Sequence, residues 1–390
     1  MHVPSEVLTA GFSWAMMYAS RQRAVREGRR VATMSEKTFD DVMETIALGL
    51  NGDSDHDIAY LKEQAEAYKD HEFGQEITRT CGRLMWEALP DDKKAEIRQV
   101  MDNHGASAQS VIDEANYNMK MGNPAKALEL VEPLAKKYDD LTAEGWGGDD
   151  RDSVHFDFDS IIERFVWQAH TDEQRTVRPA VEPFALVYFT YGSVLYEAGR
   201  HEDAIVALEK AIRWNPAKPM LRFELGENYK KLGDMGAYNR VLDEAHPYIA
   251  TADDMARFHR SKGFLLIETG AYELAAAHLM YSLFYGNSEL ALSEVMYIKM
   301  QFGEDYTGLT PETAGKLLES RGELCVANEE TLSVLYALIK IAIDNEDVET
   351  AIKSAINLYQ LTGDEEIGDI ARNLIKAVEE AQAEASGIDS

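Results

Sequence analysis

Two cysteines in 390 residues, Cys81 and Cys325, leave no basis for a disulfide framework or a zinc site. Cys81 shares a helical stripe with Phe73, Ile77, Leu84 and Ala88, and Cys325 lies between Leu324 and Val326, so both read as small buried side chains. Such thiol usage fits a reducing compartment, and a cytoplasmic location is the expectation. Positive charge is also scarce: 39 Lys and Arg face 69 Asp and Glu, a formal net charge of -30. An acidic surface repels phosphate backbones and anionic lipid, so neither nucleic acid nor a membrane is an expected partner. No apolar run approaches the ~18–20 residues of a membrane-spanning helix.

Catalytic signatures are missing in the same way. His71-Glu72 has no second histidine four residues after the first, so it is no zinc-protease helix. Gly11-Phe12-Ser13-Trp14-Ala15 fails the nucleophile elbow at its last position. Gly315-Lys316 has neither the earlier glycine nor the following Ser or Thr of a phosphate loop. The aspartates Asp149, Asp150, Asp152, Asp157 and Asp159 do not make a calcium loop, because Val154 and His155 fall where a ligand and the turn glycine belong. They read as a solvated acidic loop. His155, His170, His201, His246, His259 and His278 lack ligand spacing, and most of them read as surface or core-edge residues. The expectation is a protein with no catalytic residue, no metal site and no cofactor.

What the chain does have is recurrence. Gly192, Gly226 and Gly263 each precede a second glycine seven residues on, at Gly199, Gly233 and Gly270. Leu195, Tyr229 and Leu266 follow the first glycine of each pair, and Leu208, Leu242 and Leu279 follow the second. A period of about 34 residues marks stacked helical hairpins, each burying its face against its neighbours. Glycine ends the first helix of a unit, and Asn215-Pro216 closes the unit at 216. Small residues such as Gly192 and Ala204 belong where the two helices cross.

Around this array the pattern stays helical. Residues 1–34 are an extension in which apolar Val7 to Ala19 precede Arg21, Arg23, Arg26, Arg29 and Arg30, the wrong order for a secretory signal. Three readings stand for it: a membrane-surface or nucleic-acid tether, a frayed and disordered terminal segment, or, favoured by the change of composition there, a true start at Met34. Residues 35–106 read as an N-terminal helical block, with Phe39, Val42, Met43, Ile46 and Leu50 on one face and a further helix opening after Pro90. Residues 107–183 read as a diverged hairpin, the acidic loop and an extra helix opened by Ser160 and Glu163 as a capping box. Three repeats occupy 184–289. Degenerate helical repeats and a closing helix fill 290–382, with a turn at Asn345-Glu346-Asp347, and 383–390 is a tail.

At 185–218 the chain resembles the tetratricopeptide repeat family, through Tyr188, Tyr191, Gly192, Leu195, Ala204, Leu208, Ala211 and Pro216. The second unit departs from the pattern at Arg222 and at Tyr238, which suggests a splayed hairpin, and the third departs at Lys262. The layout is similar to bacterial tetratricopeptide proteins. The resemblance implies an all-α, right-handed α-α superhelix whose hollow side is lined by the first helix of each unit. Carried over, the lining is Leu186, Phe189, Ser193 and Tyr196; Met220, Phe223, Glu227 and Lys230; Arg257, Arg260, Phe264 and Ile267. Among these, Phe189, Tyr196, Phe223, Lys230, Arg257, Arg260 and Phe264 are the expected anchors for a peptide with apolar groups and some negative charge. Phe189 and Ser193 replace the Lys and Asn of the family's chaperone-tail clamp, so that ligand is not expected. The expected function is a non-catalytic protein-interaction scaffold. The alternative is a peptide-sensing regulator in which groove occupancy changes exposure of the N-terminal block.

Overall fold

The computed structural model describes residues 39–69, 73–90, 93, 108–145 and 148–386. The arginine-rich extension, the Met34 start and the helix expected after Pro90 lie outside the described residues. The apolar face read from Phe39 onward becomes α1 (Phe39–Ala47), which packs with α2 (Ser54–Ala67) and α3 (Gly74–Ala88) around Val42, Ile46, Leu61, Ile77 and Cys81. Asp53 caps α2 by accepting from the His56 amide. A hairpin of α4 (Ala108–Lys120) and α5 (Pro124–Ala143) follows.

The acidic stretch differs from the solvated loop expected of it. Residues Ser153–Phe156 form β1, which pairs in parallel with β2 (Thr176–Pro179), and α6 (Ile161–Ala169) is the crossover. The carboxylates are spent on the fold. Asp150 accepts from the amides of Asp152 and Ser153. Asp157 accepts from the Ala185 amide at 2.9 Å, and its own amide donates to the Trp214 carbonyl. Asp149 pairs with Arg213 and Asp159 with Lys218. The insertion is thereby pinned to the ends of the first repeat's helices. The Ser160 hydroxyl caps α6 as expected, but Glu163 accepts from the Asp159 amide instead of the Ser160 amide, and also from Asn215.

The array itself runs through α7 (Phe184–Glu197), α8 (His201–Trp214), α9 (Pro219–Lys231), α10 (Met235–Ala245), α11 (Ala252–Glu268) and α12 (Tyr272–Tyr285). Each pair closes through the same C-terminal motif. Arg200 donates to the Leu195 carbonyl and Gly199 to that of Tyr196; Asp234 and Gly233, then Ala271 and Gly270, repeat the two bonds. The three glycines sit at φ 73, 75 and 79 degrees, a left-handed conformation that costs a side chain about 1 kcal/mol or more. Close approach explains the other glycines. A Cβ on Gly192 would lie 2.8 Å from Leu208 Cγ, and one on Gly263 would lie 2.6 Å from Leu279 Cγ. In the second unit Tyr238 takes that place against Gly226, at 2.9 Å, and is itself buried. The hairpin is filled by the ring and not splayed by it.

The two other departures from the repeat pattern are also accommodated. Arg222 is buried over the Tyr248 ring at 4.9 Å and donates to the Pro216 carbonyl at 2.6 Å. Lys262 reaches Asp243 at 2.6 Å and Asn239 at 2.7 Å on the preceding unit. Both exchange apolar packing for charge-assisted hydrogen bonds between neighbouring units.

Beyond the array, α13 (Glu289–Phe302) packs on α12, but α14 (Pro311–Arg321) turns back onto α12 as well. Helices α15 (Glu329–Asp344) and α16 (Val348–Thr362) form a further hairpin, whose turn repeats the glycine motif with Glu346 at φ 59. α15 rests on α6, and α17 (Glu365–Ser386) covers α16. The result is an all-α superhelix with a two-stranded parallel ribbon inserted before the first repeat.

Candidate functional site

Three consecutive first helices, α7, α9 and α11, touch one another in sequence at a few points and carry the expected lining. Cross-helix contacts mark the continuity of this face. Lys231 Nζ lies 5.9 Å from the Tyr196 ring, Lys230 Nζ lies 4.3 Å from the Phe264 ring, and Arg257 reaches Glu224 at 2.9 Å. Phe189, Tyr196 and Phe264 are half-buried, as are Leu186, Ser193, Met220, Glu227, Lys230, Arg257 and Arg260.

Phe223 departs from its expected role. It is 1% exposed and packs in the core beneath the Arg257 guanidinium, 5.1 Å away, so it supports the face without presenting a ring on it. Ile267, 5% exposed, is likewise a packing residue. An aromatic at this repeat position has two neighbouring helices within reach, and burial of its full area outweighs exposure on the groove side.

The charges are also redistributed. Lys230 pairs with Glu227 at 2.7 Å and Arg257 with Glu224, so two of the three expected cations are neutralised from within the face. Arg260 forms no salt bridge among the described residues, although Asp253 lies near enough to favour its charge. Burial, and then the neighbouring Arg257, push its guanidinium below the ordinary value. Burial likewise pushes the Tyr196 hydroxyl up. Glu224 was not among the expected residues; its signal in the sequence is an acid in the unit preceding Arg257, at a position the repeat pattern leaves free.

A second polar cluster lies outside the groove and corrects the surface or core-edge reading for His246, His259 and His278, whereas His155, His170 and His201 are half-buried. His259 and His278 are both fully buried. His259 Nε2 faces the Cys325 carbonyl at 3.2 Å and therefore carries the proton. Its Nδ1 then accepts from His278 Nδ1, 2.9 Å away. That leaves His278 Nε2 buried without a hydrogen-bond partner, with Glu323 Oε2 at 3.8 Å. His246 Nε2 donates to the Val326 carbonyl at 2.9 Å, and the Tyr285 hydroxyl donates to that of Cys325. Neutral rings here tie the segment 323–327 to the second and third repeats. Desolvation holds the pKa values of His246, His259 and His278 below the usual imidazole range and pushes the Cys325 thiol up. A buried, protonated thiol is a poor nucleophile, and the cluster reads as structural.

Among the described residues, no group of three or more His, Cys, Asp or Glu side chains is placed to hold a metal ion. No described helix is long and apolar enough to cross a membrane.

Residues 192–233 match the family model of the TPR repeat. Comparison with curated proteins gives no match. Among solved structures the chain is similar to one described as "Crystal structure of APC/C hetero-tetramer Cut9-Hcn1", at 11% identity and a TM-score of 0.36. That alignment covers 87% of this chain and 56% of the other, so this chain spans little more than half of its length.

Proposed function

We propose that this tetratricopeptide-repeat protein is a non-catalytic scaffold that grips a polypeptide segment on the face made by α7, α9 and α11. What supports the reading is Arg260: a half-buried cation that makes no salt bridge among the described residues, with only Asp253 acting on it from further off, on the face that carries the half-buried rings. Leaving a guanidinium partly desolvated and unpaired is costly unless a ligand completes it. The ligand is therefore an extended or helical segment with apolar anchors near Phe189, Tyr196 and Phe264 and a carboxylate that reaches Arg260. Arg257 and Lys230 orient the rings and hold Glu224 and Glu227, which repel a wrongly placed acid.

The test is binding of acidic, aromatic-containing peptides by fluorescence anisotropy across a salt series. Arg260→Glu is expected to weaken binding by about 10–100-fold, the loss of one charge-assisted contact plus a like-charge repulsion. It should also flatten the salt dependence. Arg257→Ala is expected to cost less, because Glu224 already takes up its charge. Equal affinities for the Arg260→Glu and unmodified proteins would remove the electrostatic half of this reading.

A further inference from the structure

We propose that α13 is a second docking surface, distinct from the groove, and that its occupant is a basic amphipathic helix of a partner protein. By its place in the chain, α13 is the first helix of a fourth unit. Its inner edge, Ala291, Val295 and Ile298, is buried, and the helix packs on α12. The helix that should complete the hairpin does not do so, because α14 makes its main contact with α12. The outer side of α13 is left open with Leu290, Leu292, Met296, Tyr297 and Met300 exposed. A helix apolar on both sides is ordinarily covered on both.

The open side has the form of a site. A shallow depression of about 400 Å³ lies along Leu292, Ser293, Met296, Tyr297, Met300 and Gln301. Methionines adapt to varied apolar side chains, so two of them here suit a helix laid into the depression. Charge selects which helix. From Glu289 to Asp305 there are four carboxylates (Glu289, Glu294, Glu304 and Asp305) against Lys299 alone. Lys299 is held by Asp305 at 2.7 Å. An apolar strip on so acidic a segment favours Lys or Arg flanking the partner's apolar face and disfavours an acidic one. A second copy of this chain would bring the same carboxylates against themselves.

The experiment uses the full chain and two synthetic helical peptides of about 18 residues, one of Leu and Lys and one of Leu and Glu in the same pattern. Fluorescence anisotropy should show the Leu/Lys peptide bound and the Leu/Glu peptide unbound. The double variant M296Q/M300Q should weaken the Leu/Lys complex by about tenfold or more, through lost apolar burial. Arg260→Glu in the groove should leave it unchanged. If the double variant lowers the melting temperature, Met300→Gln alone, at a side chain 75% exposed, serves in its place with the same direction. The proposal is overturned by equal binding of both peptides or of neither. Insensitivity to the α13 substitutions, or tighter binding in Arg260→Glu, also overturns it. So does a dimer in sedimentation that M296Q/M300Q dissolves, since a second copy would then be the occupant.

Discussion

Phe184→Ala is expected to lower the unfolding free energy by about 3–5 kcal/mol, among the largest effects of any single truncation in the chain. Phe184 is fully buried at the point where the segments before the array meet its first unit. Its ring stacks on Trp214 at 4.0 Å and meets Tyr138 edge-on at 5.1 Å. Ile112, Leu134, Ala211 and Leu221 complete the cluster, so α4, α5, α7, α8 and α9 all lose packing at once. A repeat array is held by contacts between neighbours, and a cavity at such a junction cannot be closed by distant units. Urea unfolding followed by circular dichroism measures the loss. A decrease under about 1 kcal/mol would mean that these helices do not converge on Phe184.

Acid should destabilise the protein below about pH 6.5, before most carboxylates titrate. The sign follows from the buried imidazoles. His259 and His278, together with His246, His170 and His155, have folded-state pKa values below the ordinary 6.5, with burial the first cause in each. Below that pH the unfolded chain binds more protons than the folded one, so stability is complete above it and falls as the solution is acidified. The fully buried pair His259 and His278 carries the largest share of this loss, because burial is the first cause that keeps both rings neutral in the folded chain. Asp157, Glu163 and Asp254 act in the opposite sense, because burial raises their pKa values and the folded state takes up their protons first. Their window opens above the ordinary carboxyl range, so they blunt the lower end of the effect. Melting temperatures taken from about pH 7.5 down to about pH 5.5 should fall steadily. A flat or rising profile would mean that the histidine cluster is open to water.

The helices and their turns were legible because their causes are local. Gly199, Gly233 and Gly270 announce left-handed caps, and Gly192 and Gly263 announce close crossings, whatever lies further along the chain. The helix from Phe39 could be read for the same reason, from apolar spacing. Long-range pairings had no such signal. Nothing local to Asp157 or Asp159 says that their partners are the Ala185 amide and Lys218. Nothing near His259 foretells that the backbone at Cys325 will close over it. The groove was half legible. The repeat position puts Phe189 and Phe223 at equivalent sites, but which ring is sealed depends on the next helix: Arg257 covers Phe223, and Phe189 stays half-buried. Whether a cation is free depends on acids a whole unit away, which is why Arg257 and Arg260 look alike in sequence and differ in the structure. The open side of α13 had no signal in the sequence reading, because only the turn of α14 back onto α12 left it uncovered.

Photo-crosslinking addresses the binding face most directly. A benzophenone side chain at Tyr196, half-buried between the first two units, is compared with one at Val206, 52% exposed on the second helix of the same unit. Bound polypeptide should be captured from position 196 and not from 206. Capture from 206 with none from 196 would place the partner on the outer helices and contradict the account.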